Sequence, residues 1–241
     1  MIQAGGQCEE RLVNSMASSM TNSMDKGFVL DLTISVVSAL HLGSGQADVN
    51  LDAEVVHDHC GVPYFPAKRL KGLLYESAVE VMEMADASGQ VLFGLDELNT
   101  LFQHGVSGEK QLIMHNFYLP GYQQDRQGWE YLQAKYPGLI NARDVLEEYT
   151  SIRYQTSIDK ATHTALDHSL HNIRVVEAGC CFRGSIQVVN GDEQDRAILA
   201  LACRNLQYAG GKRNRGLGRI ECRFDKMDEV IRCAVKQVRK A

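Results

Sequence analysis

Much that would place this chain in a class at sight is missing from it. No run of apolar residues approaches the about 20 in succession that a membrane-spanning helix needs. The N-terminus lacks the charged-then-apolar order of a secretory signal. No two cysteines are separated by the two residues of a zinc knuckle, and the seven present (Cys8, Cys60, Cys180, Cys181, Cys203, Cys222 and Cys233) are odd in number. Most are therefore expected to be small buried apolar side chains of a reducing cytoplasm. An excess of positive charge is missing too: 25 Lys and Arg face 30 Asp and Glu, a net charge of −5. That balance leaves open any ligand recognised by a local cluster of cations. What remains is ordinary. The 241 residues are 44% hydrophobic and 23% charged, enough for one large domain or two small ones with a real core.

Residues 1–26 are rich in Ser, Asn and Met with little periodic apolar content, and are expected to be a mobile tail or an extension ahead of a domain that starts near Met24. From residue 27 to 241 a single domain is expected. Phe28, Leu30, Leu32, Ile34 and Val36 alternate with mostly polar partners, the period of a half-buried strand. After the loop Gly43-Ser-Gly45 comes a long irregular segment through Asp48, Asp52, Asp58 and Gly61 to Pro63 and Pro66. Leu70, Leu73, Leu74, Ala78, Val81, Met82 and Ala85 then repeat at helical spacing behind Pro66. A strand is expected over 110–119, and a short helix over Ala142–Tyr149 with Asn141 as its cap. The polar stretch 150–171 reads as a long projecting hairpin or loop. Alternation returns over Cys181–Val189. Asp192, Glu193 and Asp195 then favour the start of a helix running to Tyr208, with Gly210 and Gly211 stopping it. A last strand (Leu217–Phe224) and a helix over about 226–239 close the chain.

The core thus reads strand, helix, strand, strand, helix, strand. That is an α+β, ferredoxin-like βαββαβ pattern, as used by RNA-recognition domains. It carries a large insertion after the first strand and the projecting hairpin. The aromatic-rich strand motif of ordinary RNA-recognition domains is absent, so stacking of bases on the sheet face is not the expected mode.

Four segments carry chemistry. In Gly210-Gly-Lys-Arg-Asn-Arg-Gly-Leu-Gly218, four glycines allow close approach and positive φ, while Lys212, Arg213 and Arg215 bring charge. Exposed backbone N–H groups there suit an anion nest, and the loop is suited to cradle a sugar–phosphate backbone. In the second, Lys68, Arg69 and Lys71 crowd the start of the helix behind Pro66, where cations oppose the helix dipole unless a phosphate binds at that end. The third is the acidic insertion with Asp48, Asp52 and Asp58 near His41, His57 and His59. One carboxylate beside a phosphodiester is a typical Mg²⁺ ligand, although loop aspartates are usually solvated or turn-capping, and spacing does not choose among these three. The fourth, Thr156–Ala165, has polar groups able to line a nucleic acid. His163, His168 and His171 have no metal-ligand spacing and read as surface residues.

Taken in order, several segments resemble the RAMP superfamily of CRISPR systems, and within it the backbone subunit of type III (Csm/Cmr-type) effector complexes. They are Leu40-His-Leu-Gly-Ser-Gly45, Asp52-Ala-Glu-Val-Val-His-Asp58, Gly61-Val-Pro-Tyr-Phe-Pro with Leu70-Lys-Gly72, Leu92-Phe-Gly94, Ser157-Ile-Asp-Lys160 and the Gly210–Gly218 loop. The resemblance implies subunits stacked along a guide (CRISPR) RNA in the cytoplasm, together with other effector subunits and a single-stranded target RNA, and with no membrane. It implies that Ser44, Gly45, Lys68, Arg69, Lys71, Gly211, Lys212, Arg213, Arg215, Gly216 and Gly218 hold the RNA. Ile158, Asp159 and Lys160 would belong to a thumb that interrupts the guide–target duplex. Asp52, with Asp48 as second choice, matches the aspartate that directs target cleavage with Mg²⁺ or Mn²⁺. Two departures point to a divergent branch: Ala67-Lys-Arg69 stands where the family commonly has Gly-Ser-Ser, and the proline often found after the catalytic aspartate is absent. Two alternatives stand beside this expectation, a purely structural RNA-binding scaffold and a guide-processing endoribonuclease acting through His41.

Overall fold

The computed structural model describes residues 27–45, 51–103, 108–159, 162–166 and 169–238. The expected tail 1–26, Asp48, Lys160, His168 and Cys8 lie outside them. The chain runs β1 (Gly27–Val36), β2 (Tyr64–Phe65), α1 (Ala67–Ala87), α2 (Leu95–Phe102), β3 (Gln111–Met114) and β4 (Phe117–Tyr118). It continues through α3 (Tyr122–Lys135), α4 (Ala142–Tyr149), β5 (Thr150–Gln155), β6 (His171–Val176) and β7 (Cys181–Val189), and ends with α5 (Glu193–Asn205), β8 (Ile220–Arg223) and α6 (Met227–Val238).

β1 occupies the middle of the sheet because its alternation supplies one wholly apolar face: Leu30, Leu32, Ile34 and Val36 are buried, while Val29 and Asp31 are exposed. It pairs antiparallel with β7 from Gly27↔Val189 to Ser35↔Cys181, and on its other edge with β8 from Thr33↔Arg223 to Val36↔Ile220. β3 and β4 pair with the far edge of β7, and β2 with β4. The four strands of the expected βαββαβ succession therefore lie in the order β3-β7-β1-β8, all antiparallel. α1 and α5 cover the apolar face side by side, with Leu70, Leu74, Ala78, Ile198, Leu199 and Ala202 in one core with the β1 side chains. Ser77, the buried polar residue of α1, is satisfied by donating its hydroxyl to the Ala202 carbonyl at 2.9 Å.

Several boundaries depart from the sequence reading. The strand expected over 110–119 is broken at His115-Asn116, where the Asn116 Oδ1 accepts the Ala67 N–H and so holds the start of α1. α5 is capped by Asp192, whose carboxylate accepts the Asp195 N–H, but it ends at Asn205 rather than Tyr208. Leu206 turns extended there, and residues 207–209 pair instead with 218–220 through Ile220 N–H to Gln207 O and Ala209 N–H to Gly218 O, each 2.8 Å. Tertiary pairing thus stops the helix before the glycines reach it. α2 and α3 went unread in the sequence. α3 buries only Tyr122, so it has almost no apolar stripe to read.

The polar stretch expected to project does form a hairpin, but its base reaches further along the chain. β5 and β6 pair from Thr150↔Val176 to Gln155↔His171, and Ile173, Arg174, Val175 and Val176 are buried. Two bridges bind this base to the rest: Leu40↔Val176, and Ala53↔Ile173 in parallel. Towards the tip, Ile158 is exposed and bridges Ala165, and Asp159 donates its N–H to Thr164. The cysteines divide more evenly than expected: Cys60, Cys203 and Cys222 are buried, Cys180 and Cys181 partly so, and Cys233 is exposed. Among the described residues no helix is long and apolar enough to cross a membrane.

Candidate functional site

Where the chain leaves β1 it meets the start of α1, the base of the hairpin and the glycine loop, and between them opens a cleft of about 570 Å³. One wall is His41, Gly43 and Gly45; a second is Asp52, Ala53 and Glu54; a third is Gly210, Gly211 and Arg213; Arg69 and Leu73 of α1 form the floor. Three segments singled out separately in the sequence thus share one space.

The first wall is held by its neighbours. Gly43 bridges Val55, and the Ser44 N–H donates to Glu54 O at 2.8 Å. His41 is buried, and its Nδ1 lies 2.7 Å from the Arg174 carbonyl, which fixes the ring proton on Nδ1 and leaves Nε2 on the Gly43 side. A Cβ on Gly43 would stand 2.9 Å from that Nε2, so glycine is required to admit the ring. Gly210 has φ 77° and a Cβ there would meet His41 O at 2.3 Å, while Gly211 donates its N–H to the same carbonyl at 2.9 Å. The loop is therefore clamped to the first wall by close backbone approach.

The loop's cations are oriented rather than loose. Lys212, at φ 56°, and Arg215 both donate to Gln155 Oε1 at the end of β5, at 3.2 and 3.3 Å, while Arg213 caps Gly210 O. Part of the expected backbone nest is spent inside the protein. The N–H groups of Gly211, Arg215 and Gly218 go to His41, Lys212 and Ala39 and are not available to a ligand. Gly216 closes the turn at φ 76° and is exposed. Gly218 is buried, and a Cβ there would strike Ala209 O at 2.1 Å, so its glycine serves the pairing with Ala209 and does not line the cleft. Of the three cations at the start of α1, Arg69 turns inward and donates to Gly43 O at 2.9 Å. Lys68 is exposed and Lys71 half-buried, and among the described residues neither makes an ion pair.

Asp52 stands at the lip, its side chain 54% exposed. Its Oδ2 accepts the Asn172 N–H at 2.7 Å and lies 3.6 Å from His171 Nδ1, while its own N–H donates to Asn172 Oδ1 at 2.8 Å. Among the described residues its Oδ1 has no hydrogen-bond partner. His171, expected to be a plain surface residue, is thus a neighbour of Asp52. Asp58 is a different case. Its Oδ1 accepts the N–H groups of Cys60 and Val62, and its Oδ2 accepts the Tyr122 hydroxyl, so it closes a turn. Burial, reinforced by that carboxylate, pushes Tyr122 up to about 12. The ligand atoms of Asp58, His59 and Cys60 come within 4.8 Å of one another. Asp58 already takes three hydrogen bonds, however, and burial together with Asp58 pushes the Cys60 thiol up.

Behind the cleft lies a feature the sequence did not reveal. Arg174, 1% exposed, places Nε 2.9 Å from Glu54 Oε1 and Nη1 3.2 Å from Thr150 Oγ1, with Glu147 at 3.5 Å. Its partners lie 24 to 120 residues away in the chain, so no local pattern announces it.

The sequence matches the profile of the RAMP superfamily over residues 33–221. The chain belongs to the RAMP superfamily. The matched span runs from within β1 to within β8 and contains every wall of the cleft. The RAMP fold is also found in solved structures. A chain of the type III-B Cmr-beta complex bound to cognate target RNA superposes with a TM-score of 0.55 at 14% identity, covering 86% of this chain and all of that one. A chain of the type III-B Cmr-beta apo state gives 0.57 at 15% identity over 85% of this chain and 99% of that one. No curated protein matches this RAMP chain in sequence.

Proposed function

We propose that this RAMP protein is a backbone subunit of a type III CRISPR ribonucleoprotein, binding guide RNA and cleaving complementary target RNA with a divalent metal. One observation carries the reading: a half-exposed carboxylate, Asp52, shares a single cleft with Arg69, Arg213 and the Gly43–Gly45 loop. Cations beside such a carboxylate suit a phosphodiester, since the arginines hold the backbone while the carboxylate holds a metal against it. Arg213, Arg215 and Lys212 provide one rail, Lys68 and Lys71 the other, and the hairpin rises from the cleft's edge as a thumb.

Asp52 fits a single-carboxylate site for Mg²⁺ or Mn²⁺. Its Oδ2 is anchored, its Oδ1 is not engaged by the described residues, and its exposure leaves room for the water and phosphate ligands such ions keep. An ion bound there would supply charge neutralisation at the scissile phosphate and activation of an attacking hydroxyl. The protein's own part is to hold the RNA backbone in register with Asp52.

Asp52→Ala in the assembled complex tests this. Guide binding and assembly should persist while cutting of target RNA at this subunit's position disappears. Unchanged cutting would refute the assignment and leave a scaffold. Cutting of precursor RNA that survives chelator would instead point to His41, whose Nε2 faces the same cleft.

A further inference from the structure

We infer that Asn172, on the second strand of the hairpin, is a positioning residue for the Asp52 carboxylate. The inference rests on the reading of Asp52 as the residue that directs cleavage. Asp52 belongs to no helix or strand; only isolated bridges organise residues 51–57. A half-exposed aspartate on irregular backbone has free rotamers, and ordering it must come from outside its own segment.

That order comes from a closed pair of hydrogen bonds. The Asp52 N–H donates to Asn172 Oδ1 at 2.8 Å, and the Asn172 N–H donates to Asp52 Oδ2 at 2.7 Å. Each residue contributes one backbone donor and one side-chain acceptor, so the ring fixes both the peptide of Asp52 and the direction of its carboxylate. Oδ2 is engaged, and Oδ1 has no hydrogen-bond partner among the described residues. Asparagine suits the position because it offers an uncharged acceptor; aspartate there would set a second negative charge against Asp52.

The pair is the outer end of a zip. Next along, Ala53 bridges Ile173, and the Arg174 N–H donates to Ala53 O at 3.1 Å. At the inner end the buried Arg174 side chain grips Glu54. The deep end is anchored by a buried ion pair, the exposed end holds the working oxygen, and β6 carries the whole zip from the base of the hairpin. The seating of the hairpin and the aim of Asp52 are therefore one structural variable.

The test uses the assembled complex with Asn172→Ala, Asn172→Asp and Asp52→Ala. Hydrogen–deuterium exchange of the segment 51–56 reads the positioning directly, and cleavage kinetics with Mg²⁺ read its consequence. Asn172→Ala deletes the acceptor of the Asp52 N–H and keeps the backbone donor to Oδ2. It should leave guide binding intact, speed exchange of 51–56, and lower kcat by about 10-fold with little change in target KM, the low end for losing an outer partner of a metal ligand. Asn172→Asp, which keeps an oxygen acceptor for the Asp52 N–H, should restore the slow exchange of 51–56 but not full cutting, because it sets a second negative charge beside the Asp52 carboxylate. Wild-type cutting by Asn172→Ala alongside an inactive Asp52→Ala would overturn the inference, as would unchanged exchange of 51–56. If Asp52→Ala itself cuts normally, the catalytic reading fails, and the exchange result still decides whether Asn172 holds this segment.

Discussion

Truncating Arg174 to alanine removes one half of a buried ion pair, and the structure sets the size of the loss. The side chain is 1% exposed and the Glu54 side chain 14%, so Glu54 cannot recover its hydration when the guanidinium goes. The hydrogen bond to Thr150 Oγ1 is lost as well, and a void is left where the long buried side chain stood. Breaking a buried pair from one side costs about 3–5 kcal/mol, mostly for the charge left behind. At roughly 2–4 °C per kcal/mol for a chain of this length, Tm should fall by about 12 °C. The assay is thermal unfolding followed by far-ultraviolet circular dichroism, with a denaturant midpoint as an independent check. The decisive comparison is Arg174→Met with Glu54→Gln: it removes both charges, keeps most of the volume, and should recover all but about 1–2 kcal/mol. A fall of less than about 3 °C for Arg174→Ala, or a double variant no more stable than the single, would refute the reasoning.

Two further outcomes follow from the site and its surroundings. Replacing Arg213 and Arg215 together should reduce the slope of log affinity for guide RNA against log salt by about 0.7 for each phosphate that the loop no longer neutralises, with sequence preference unchanged; an unaltered slope would remove the glycine loop from the RNA path. Stability should fall in acid. The Ser151 hydroxyl, with Arg153, holds the Glu177 carboxyl below its usual range. At Asp192, burial pushes upward, but the Asp195 N–H and Lys110 win and hold it low. A carboxyl whose folded pKa is depressed stabilises the fold above its unfolded pKa, near 4.5 for Glu and 3.8 for Asp, and that stabilisation is lost as pH drops through the folded value. Tm measured from neutral to acidic pH should therefore decline in that window, and Glu177→Gln with Asp192→Asn should flatten the decline.

The strands and helices that build the frame were legible because their signals are local. β1 and β7 alternate with period two, α1 repeats its apolar residues at helical spacing, and Asn141 and Asp192 stand as caps at the helices they begin. α3 was not legible, since it buries one residue and has no stripe. The end of α5 was misplaced because the pairing of 207–209 with 218–220 depends on a segment reached only through the glycine loop. Of the residues lining the cleft, Arg69 and Arg213 stood in the two basic segments that composition picked out, whereas Asp52 was singled out from Asp48 and Asp58 only by the family resemblance. His171, Asn172, Glu54 and Arg174 were not picked out: each matters through a partner far away in sequence.

By itself, then, the amino-acid sequence determined the succession of the core strands and helices, the apolar faces that make the core, and the residue types of the cleft: glycines where backbones touch, arginines beside them, and a set of candidate aspartates. Only the tertiary structure decided which of these meet and which are spent elsewhere. Asp58 and Gly218 look as functional as Asp52 and Gly211 in a string of letters, but one closes a turn and the other admits a carbonyl. Periodicity and capping are set by neighbours within a few residues, whereas a carboxylate's availability is set by whatever donors the folded chain brings within hydrogen-bond reach. For Asp52 those donors come from the base of a hairpin 120 residues away.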